Sequence, residues 1–550
     1  MLRFFSVSEF LSQRMASIAL SLGLLGVSGS ALAQDNPGCK GQTLQNVQGE
    51  PTYGTLAADF TVQTSQGPFH LRDHWTSCDV YVVLKTFSVQ AGSPLQGLSA
   101  AANHLWSQRL DYLLQVSPRN AHYFFVSQNS DANQRASDQA LIEGHIKDAL
   151  APLPAAEQAF WKERLHVVNE DIMSGNAAWV GRLGLDSFVI DRFQKVRAFG
   201  QGIFAPLLND GDLIKLAPEV SFANFQWDRE QALKNRSDKI VPAFNEGVEA
   251  GWDSFGGTIK EVEFPNADEM ASYDGLLIDL ELTCADNGGA CVYKDGNYYY
   301  DRVIEAYLCQ DEVDTQCDLE IGRWITPFGT GGRWVHDISP LLALVKKGGK
   351  HRVRFHTVDR YNVNLKFRLS RSTLNQKSQP KPFAYQELFR GGKFDSALNA
   401  RDPMSFMVPP GTTRVAVVST TTGHGWGKNA DNCAEFCTSQ HEWTLNGQAQ
   451  DVITLDGPVD QLSCFFGSDR GVIPNQPGTW YFGRSGWCPG LEVQPRVWDI
   501  TAQVDPIGPN QLRYRALFNG ADFTPTPLPG GNANGYDPEI NLRSYVVFYK

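Results

Sequence analysis

The chain has 550 residues, enough for three domains of ordinary size, each burying its own core. Its 60 acidic residues outnumber 48 lysines and arginines, for a formal net charge of −12, which excludes nucleic acid as a partner because phosphate binding needs a basic footprint. Past residue 33 no run is long and apolar enough to span a bilayer, which excludes membrane insertion by a helix.

Residues 1–33 read as a secretory signal peptide. Arg3 and Arg14 precede an apolar run from Ile18 to Val27, and Ala31-Leu32-Ala33 makes a small-residue cleavage site before Gln34. The product is expected to be secreted or periplasmic. All ten cysteines follow that site, an even number that an oxidising compartment would convert to disulfides. A four-cysteine zinc site made by Cys433, Cys437, Cys464 and Cys488 is the competing expectation. Their spacing lacks the paired short knuckles of such sites, and no metal is expected.

From residue 39 to 200, apolar β-rich runs such as VYVVLKTF and AHYFFVSQNS alternate with helix-permissive stretches. That order predicts an α/β domain with a partly parallel sheet. The lead-in DFTVQTSQGPFHLRD and the closing FVIDRFQKVRAFG resemble the thioredoxin-like family of the peroxiredoxin and thiol-oxidoreductase type. After VVLKTF that family carries its redox cysteines, whereas this chain reads SVQAGSPL, and GLDSFVID lacks the family's proline. Thiol exchange needs a thiolate at that point, so the domain is expected to be redox-inactive, with Cys39 and Cys78 forming a structural bridge.

Residues 201–246 are polar, charged and weakly periodic, and predict a linker with one helix. From 247 onward the pattern changes to short alternating runs, including LLIDLEL, RVRFHTV, NLKFRLS, RVAVVST and SYVVFYK, punctuated by Gly, Pro and Asn. Such spacing predicts two tandem antiparallel β-sandwiches, at 247–371 and 384–550, with a seam at about 372–383. The fold class is therefore mainly β, preceded by the α/β domain.

Within the second sandwich, Glu435 sits inside a five-residue ring bounded by Cys433 and Cys437. Closing so short a loop restrains the unfolded chain by only about 2 kcal/mol. Fixing one turn and the aim of one carboxylate is the better reason for it.

The blocks GHGWGKNADNCAEFCTSQHEWTLNG and PNQPGTWYFGRSGWCPG resemble the bacterial peptide-N-glycosidase F family. In the first sandwich LTCADNGGACVYKDGNYYYDRVIEAYL and GRWITPFGTGGRWVHDIS resemble that family's preceding elements, in the same order. The resemblance implies two eight-stranded jelly rolls with the active site in the cleft between them. It implies hydrolysis of the amide joining asparagine to the first N-acetylglucosamine of an N-glycan, with N-linked glycoproteins or glycopeptides as partners and no cofactor. By position Asp301 matches the principal catalytic carboxylate and Glu435 the second functional acid. Arg302 and Arg484 match arginines lining the cleft. Cys284 with Cys291, Cys433 with Cys437, and Cys464 with Cys488 match the family's bridges; Cys309 and Cys317 have no counterpart and are expected to pair.

Cleaving a side-chain amide requires a base to activate water, donors for the developing oxyanion and a proton for the leaving amine. Asp301 is the candidate base and Arg484 a candidate donor. His424, Tyr300 and Trp487 are further candidates for substrate contact. Each has a plainer alternative: on a strand Asp301 and Arg302 point to opposite faces, Trp426, Trp480 and Trp487 are typical core aromatics, and His424 and His441 are typical hydrogen-bonded structural residues. A copper monooxygenase would need a His-x-His pair, which is absent. The family's third acid aligns with Val358 and its following tryptophan with Arg360. Asp359, a candidate substrate-binding residue, is one place off, the opposite face of a strand unless a bulge re-aims it. The alternative function is a non-catalytic glycan- or glycoprotein-binding protein on the same scaffold.

Overall fold

The computed structural model describes residues 42–550 except 95, 109, 174, 185–186, 199–212, 249, 252–256, 286–290, 311–316, 372–379 and 458–461. The expected signal peptide, Cys39 and most of the expected seam lie outside the described residues. Among the described residues no helix is long and apolar enough to cross a membrane. The chain divides into two compact units. One holds residues up to Lys234 with Ser468–Arg470 and Pro474–Gly478, and the other holds the rest from Asn235 onward.

The first unit opens with a hairpin of β1 (Thr61–Thr64) and β2 (Gly67–His70). Its main sheet contains β3 (Val80–Thr86), β4 (Ala121–Ser127), β5 (Leu165–Val167), β6 (Phe188–Ile190) and β7 (Val196–Ala198), in the order β5-β4-β3-β6-β7. The pairs β3–β4 and β4–β5 are parallel, whereas β6 and β7 join antiparallel. Every residue of β3 and β4 is buried, as continuous apolar runs require when both faces of a sheet are covered. Val80, Val82 and Leu84 pack on one side with Leu113, Ile142 and Val220, and Tyr81 and Val83 on the other with Phe60, Phe69 and Trp179.

The helix Leu216–Lys234 belongs to this unit and is not a free linker. Leu216, Val220, Ala223 and Trp227 recur at helical spacing and are buried, with Leu216, Val220 and Ala223 joining the core of the sheet.

The second unit holds both sandwiches, and the pairings between its named strands are antiparallel. The first comprises β8 (Lys239–Gly247), β9 (Thr258–Asn266), β10 (Gly275–Cys284), β11 (Val303–Leu308), β12 (Leu319–Ile325), β13 (Gly332–Asp337), β14 (Gly348–His356) and β15 (Tyr361–Ser370). Its two sheets run β13-β10-β15-β8 and β12-β11-β14-β9. The second comprises β16 (Pro382–Lys393), β17 (Met404–Phe406), β18 (Arg414–His424), β19 (Ser439–Leu445), β20 (Gln448–Leu455), β21 (Arg496–Asp499), β22 (Asn510–Phe518), the short β23 (Ala521–Asp522) and β24 (Glu539–Tyr549). Its sheets run β16-β24-β18-β21 and β17-β22-β19-β20, with β23 beside β22.

The first sandwich therefore starts at Lys239, inside the stretch expected as linker. Val241 and Phe244 point inward three residues apart because the register against β15 shifts between Leu365 and Lys366. That bulge breaks the alternation on which a strand is recognised, and Pro242 is tolerated because β8 is an edge strand.

The two sandwiches are joined through backbone and buried charge. The segment Gly490–Val493 adds to β12, with Ile325 N–H donating to Leu491 O (3.0 Å) and Val493 N–H to Arg323 O (2.8 Å). Arg323 itself is fully buried. It makes a two-pronged pair with Glu320 (2.9 and 2.8 Å) and donates across to Thr422 Oγ1 (2.8 Å), Asn541 O (2.7 Å) and Asn541 Oδ1 (2.9 Å). Asn541 Nδ2 donates to Glu305 and the Tyr545 hydroxyl to Glu320 O. Removing the guanidinium would leave buried Glu305 without its arginine partner and Glu320 with only the more distant Arg543 (3.7 Å). Arg323→Ala is expected to lower stability by about 3–5 kcal/mol, read from urea denaturation. A loss below about 1 kcal/mol, the range of an exposed pair, would contradict this account of the junction.

Candidate active site

Asp301 and Arg302 lie in an extended lead-in just before β11. Thr326, which follows β12, holds this lead-in. Its Oγ1 accepts from Arg302 N–H (2.8 Å) and donates to Tyr300 O (2.8 Å), and its own N–H donates to Arg302 O (2.8 Å). Backbone pinning on both sides of Asp301 leaves its side chain little choice of direction.

Glu435 is carried by the turn closed by the Cys433–Cys437 disulfide. Asn429 brackets Cys433 by donating to its carbonyl (2.6 Å) and accepting from its N–H (3.1 Å). Glu435 N–H donates to Gly425 O (3.1 Å), Ser485 N–H donates to Glu435 O (2.9 Å), and Gly425 N–H reaches the Glu435 carboxylate at 3.4 Å. Gly425 has φ +105°, and a Cβ there would sit 2.3 Å from Asp537 O, so only glycine permits this close approach.

Arg484 joins the two acids. Its Nη2 donates to Asp301 Oδ2 (3.2 Å), and its Nε lies 3.8 Å from Glu435 Oε1. The guanidinium is anchored by donation to Thr479 O and Phe482 O (2.8 Å each) and to Thr479 Oγ1 (3.0 Å). It lies beside the rings of Trp487 and Phe436, 5.2 and 5.4 Å from their centroids, and is 3% exposed. Asp301 from the first sandwich and Glu435 and Arg484 from the second are thus brought together.

Two acids facing one shared guanidinium cannot both ionise freely. Burial raises the Asp301 carboxyl above its ordinary value, and Arg484 opposes the rise. Burial, followed by the charge of Asp301, pushes Glu435 up to about 8. Asp301 accepts the direct Arg484 hydrogen bond, and at neutral pH Glu435 keeps its proton.

A second acid–arginine pair lies nearby. Asp359 falls in a bend between β14 and β15, where strand alternation no longer applies, so the offset from Val358 does not turn it to the opposite face. It is buried and accepts from the Tyr293 hydroxyl (2.7 Å); desolvation raises its carboxyl, opposed by that hydrogen bond and by the charge of Arg302. Arg302 lies over Tyr300, 5.1 Å from the ring centroid, and reaches the Tyr536 hydroxyl at 3.5 Å. Tyr300 and Tyr536 are 39% and 46% exposed, offering faces to a ligand.

Trp487 is not a sugar platform. It is buried with Ile325 and Val493, and its indole N–H donates to Gly423 O. Trp480 is buried against Phe465, and His441 is buried between Ser439 and Tyr514. His424 is half-buried, stacks on Trp487 and bonds to Thr422. The sequence left Thr326, Thr479, Tyr293 and Tyr536 unmarked; Tyr293 precedes the NYYYDR block, in CVYKDG. The described residues contain the pairs Cys284–Cys291, Cys309–Cys317, Cys433–Cys437 and Cys464–Cys488. Cys78 is also bonded, while Cys39 lies outside the described residues.

Tandem antiparallel sandwiches carrying a two-carboxylate, one-arginine centre define a class of protein rather than one member of it. Residues 394–547 match the family model described as "Peptide-N-glycosidase F, C terminal". The chain is 29% identical over 97 residues to peptide-N(4)-(N-acetyl-beta-D-glucosaminyl)asparagine amidase F of Elizabethkingia miricola, a match spanning 17% of this chain and 25% of that relative. Among solved structures it is similar to PNGase F, a glycosylasparaginase from Flavobacterium meningosepticum, at 16% identity and TM-score 0.40, covering 57% of this chain and 96% of that one. PNGF-II is similar at 14% identity and TM-score 0.41, with coverages of 59% and 67%. The similarity is to the peptide-N-glycosidase F family, and its family model falls on the second sandwich.

The Glu435 shift has a sign that stability measurements read. The folded protein retains this proton up to about pH 8, whereas an unfolded glutamate releases it near 4.5. Stability therefore falls as pH rises from about 4.5 to about 8, and the penalty is complete above that. Glu435→Gln is expected to be more stable than wild type above pH 8, by on the order of a few kcal/mol, with the difference vanishing near pH 4.5. Parallel melts that stay superimposed at every pH would show that Glu435 is not raised.

Proposed function

We propose that this chain is an exported amidase of the peptide:N-glycanase type. It hydrolyses the amide between asparagine and the first N-acetylglucosamine of an N-glycan, converting Asn to Asp and releasing the glycan as its glycosylamine. The observation that carries this is the meeting of Asp301 and Glu435, from different sandwiches, on the single guanidinium of Arg484. The similarity of the second sandwich to peptide-N-glycosidase F supports it.

Asp301, anionic beside Arg484, takes a proton from water as the oxygen attacks the side-chain carbonyl carbon. The tetrahedral intermediate collapses with cleavage of the C–N bond, and Glu435 delivers its proton to the leaving nitrogen. Arg302, flanked by Asp359, Tyr300 and Tyr536, is the candidate group for binding the sugar next to that nitrogen. The mixed sheet of the first unit supports the reading of that domain as thioredoxin-like and redox-inactive.

Incubation with a denatured N-glycoprotein and with a short glycopeptide, followed by mass spectrometry, tests this. Wild type is expected to yield free glycan and aspartate, and Asp301→Asn to be slower by roughly 10²–10⁴-fold. The rate should fall on the alkaline side near pH 8 as Glu435 loses its proton. A folded wild-type protein that releases glycan from neither substrate but retains glycopeptide would instead be a glycan-binding protein.

A further inference from the structure

The hydroxyl of Thr422, in the interior of β18, lies between two partners on opposite sides of the junction. Arg323 Nη1 is 2.8 Å from Oγ1, and a guanidinium only donates. His424 Nε2 is also 2.8 Å away. With one lone pair accepting from Arg323, the hydroxyl hydrogen has the imidazole as its acceptor. The reverse orientation, with His424 donating, would leave that hydrogen no acceptor among the described residues. Nε2 is thereby the acceptor and the ring proton sits on Nδ1. Burial and the charge of Arg323 hold the imidazole neutral, its pKa lowered to about 3.

The consequence reaches the candidate active site through stacking. The His424 ring lies on Trp487 with centroids 5.2 Å apart and planes inclined by 28°. Trp487 is fixed by its bond to Gly423 O, and the guanidinium of Arg484 lies 5.2 Å from its ring centroid. An imidazolium in this stack would bring a second cation toward Arg484 and weaken the attraction of the indole for the guanidinium.

We propose that Arg323 and Thr422 are positioning residues: they fix His424 as the neutral Nδ1–H tautomer, which seats Trp487 beside Arg484 and so holds the guanidinium between Asp301 and Glu435. The role given to Arg484 rests on the amidase function proposed above; the tautomer does not.

Two-bond proton–nitrogen correlation spectra of nitrogen-15 histidine-labelled protein at neutral pH read the tautomer directly, with the His424 signal identified by its loss in His424→Gln. Wild type is expected to show neutral Nδ1–H. Thr422→Val is expected to shift His424 toward Nε2–H and to lower kcat for glycan release roughly ten- to hundredfold with KM little changed. Thr422→Ser is expected to restore both. An Nε2–H tautomer or an imidazolium in active wild type would overturn the relay alone, as would a Thr422→Val enzyme with wild-type kcat. An Nδ1–H tautomer in a wild-type protein that releases no glycan would overturn the amidase function and the role of Arg484 with it.

Discussion

The buried guanidinium of Arg323 is the constraint on which the second unit depends. It belongs to β12 of the first sandwich, yet among the described residues three of its five hydrogen bonds go to Thr422 and Asn541 of the second. An ion this deeply buried is costly unless every donor finds an acceptor in good geometry. That requirement makes the junction selective, because a small slide or rotation would strand the Arg323–Glu320–Glu305 cluster. Its gain is therefore specificity of docking more than stability. The backbone addition of Gly490–Val493 to β12 fixes the same register by an independent route.

The candidate active site uses that register. Asp301 and Glu435 have no sequence neighbourhood in common, and neither could be brought within reach of Arg484 by local structure. Each sandwich supplies its acid on a rigid mount: the first through Thr326 and the end of β12, the second through the Cys433–Cys437 turn and Gly425. With both mounts fixed, one guanidinium serves two carboxylates, and burial together with the charge of Asp301 raises Glu435 to about 8. Two acids in different protonation states at one pH are what base and acid steps of a hydrolysis require.

The two-sandwich architecture and the mounting of Glu435 were legible because they are written locally, whereas Asp301 stood out only through the family resemblance. Alternating apolar runs announced the strands, and a five-residue disulfide ring around one acid announced Glu435. Features that depend on tertiary register were not legible. The bulge in β8 erased its period, so residues 239–246 resembled linker. The bend after β14 freed Asp359 from the strand alternation that seemed to turn it away from the site. Trp487 stood in a motif that suggested a sugar platform, and only packing shows that it lies under the arginine instead. Thr326 and Thr479, which aim the charged groups, are ordinary threonines until their partners are known.

Amide hydrolysis makes a claim about where one oxygen atom goes. Release of glycan from a glycopeptide in heavy-oxygen water, analysed by mass spectrometry before the glycosylamine decomposes, tests it most directly. If Asp301 activates water against the asparagine carbonyl, the heavy atom appears in the new aspartate side chain and the freshly released sugar carries none. Heavy oxygen at the sugar's reducing carbon, with N-acetylglucosamine still attached to asparagine, would mean that a glycosidic bond is being cut and would contradict the account.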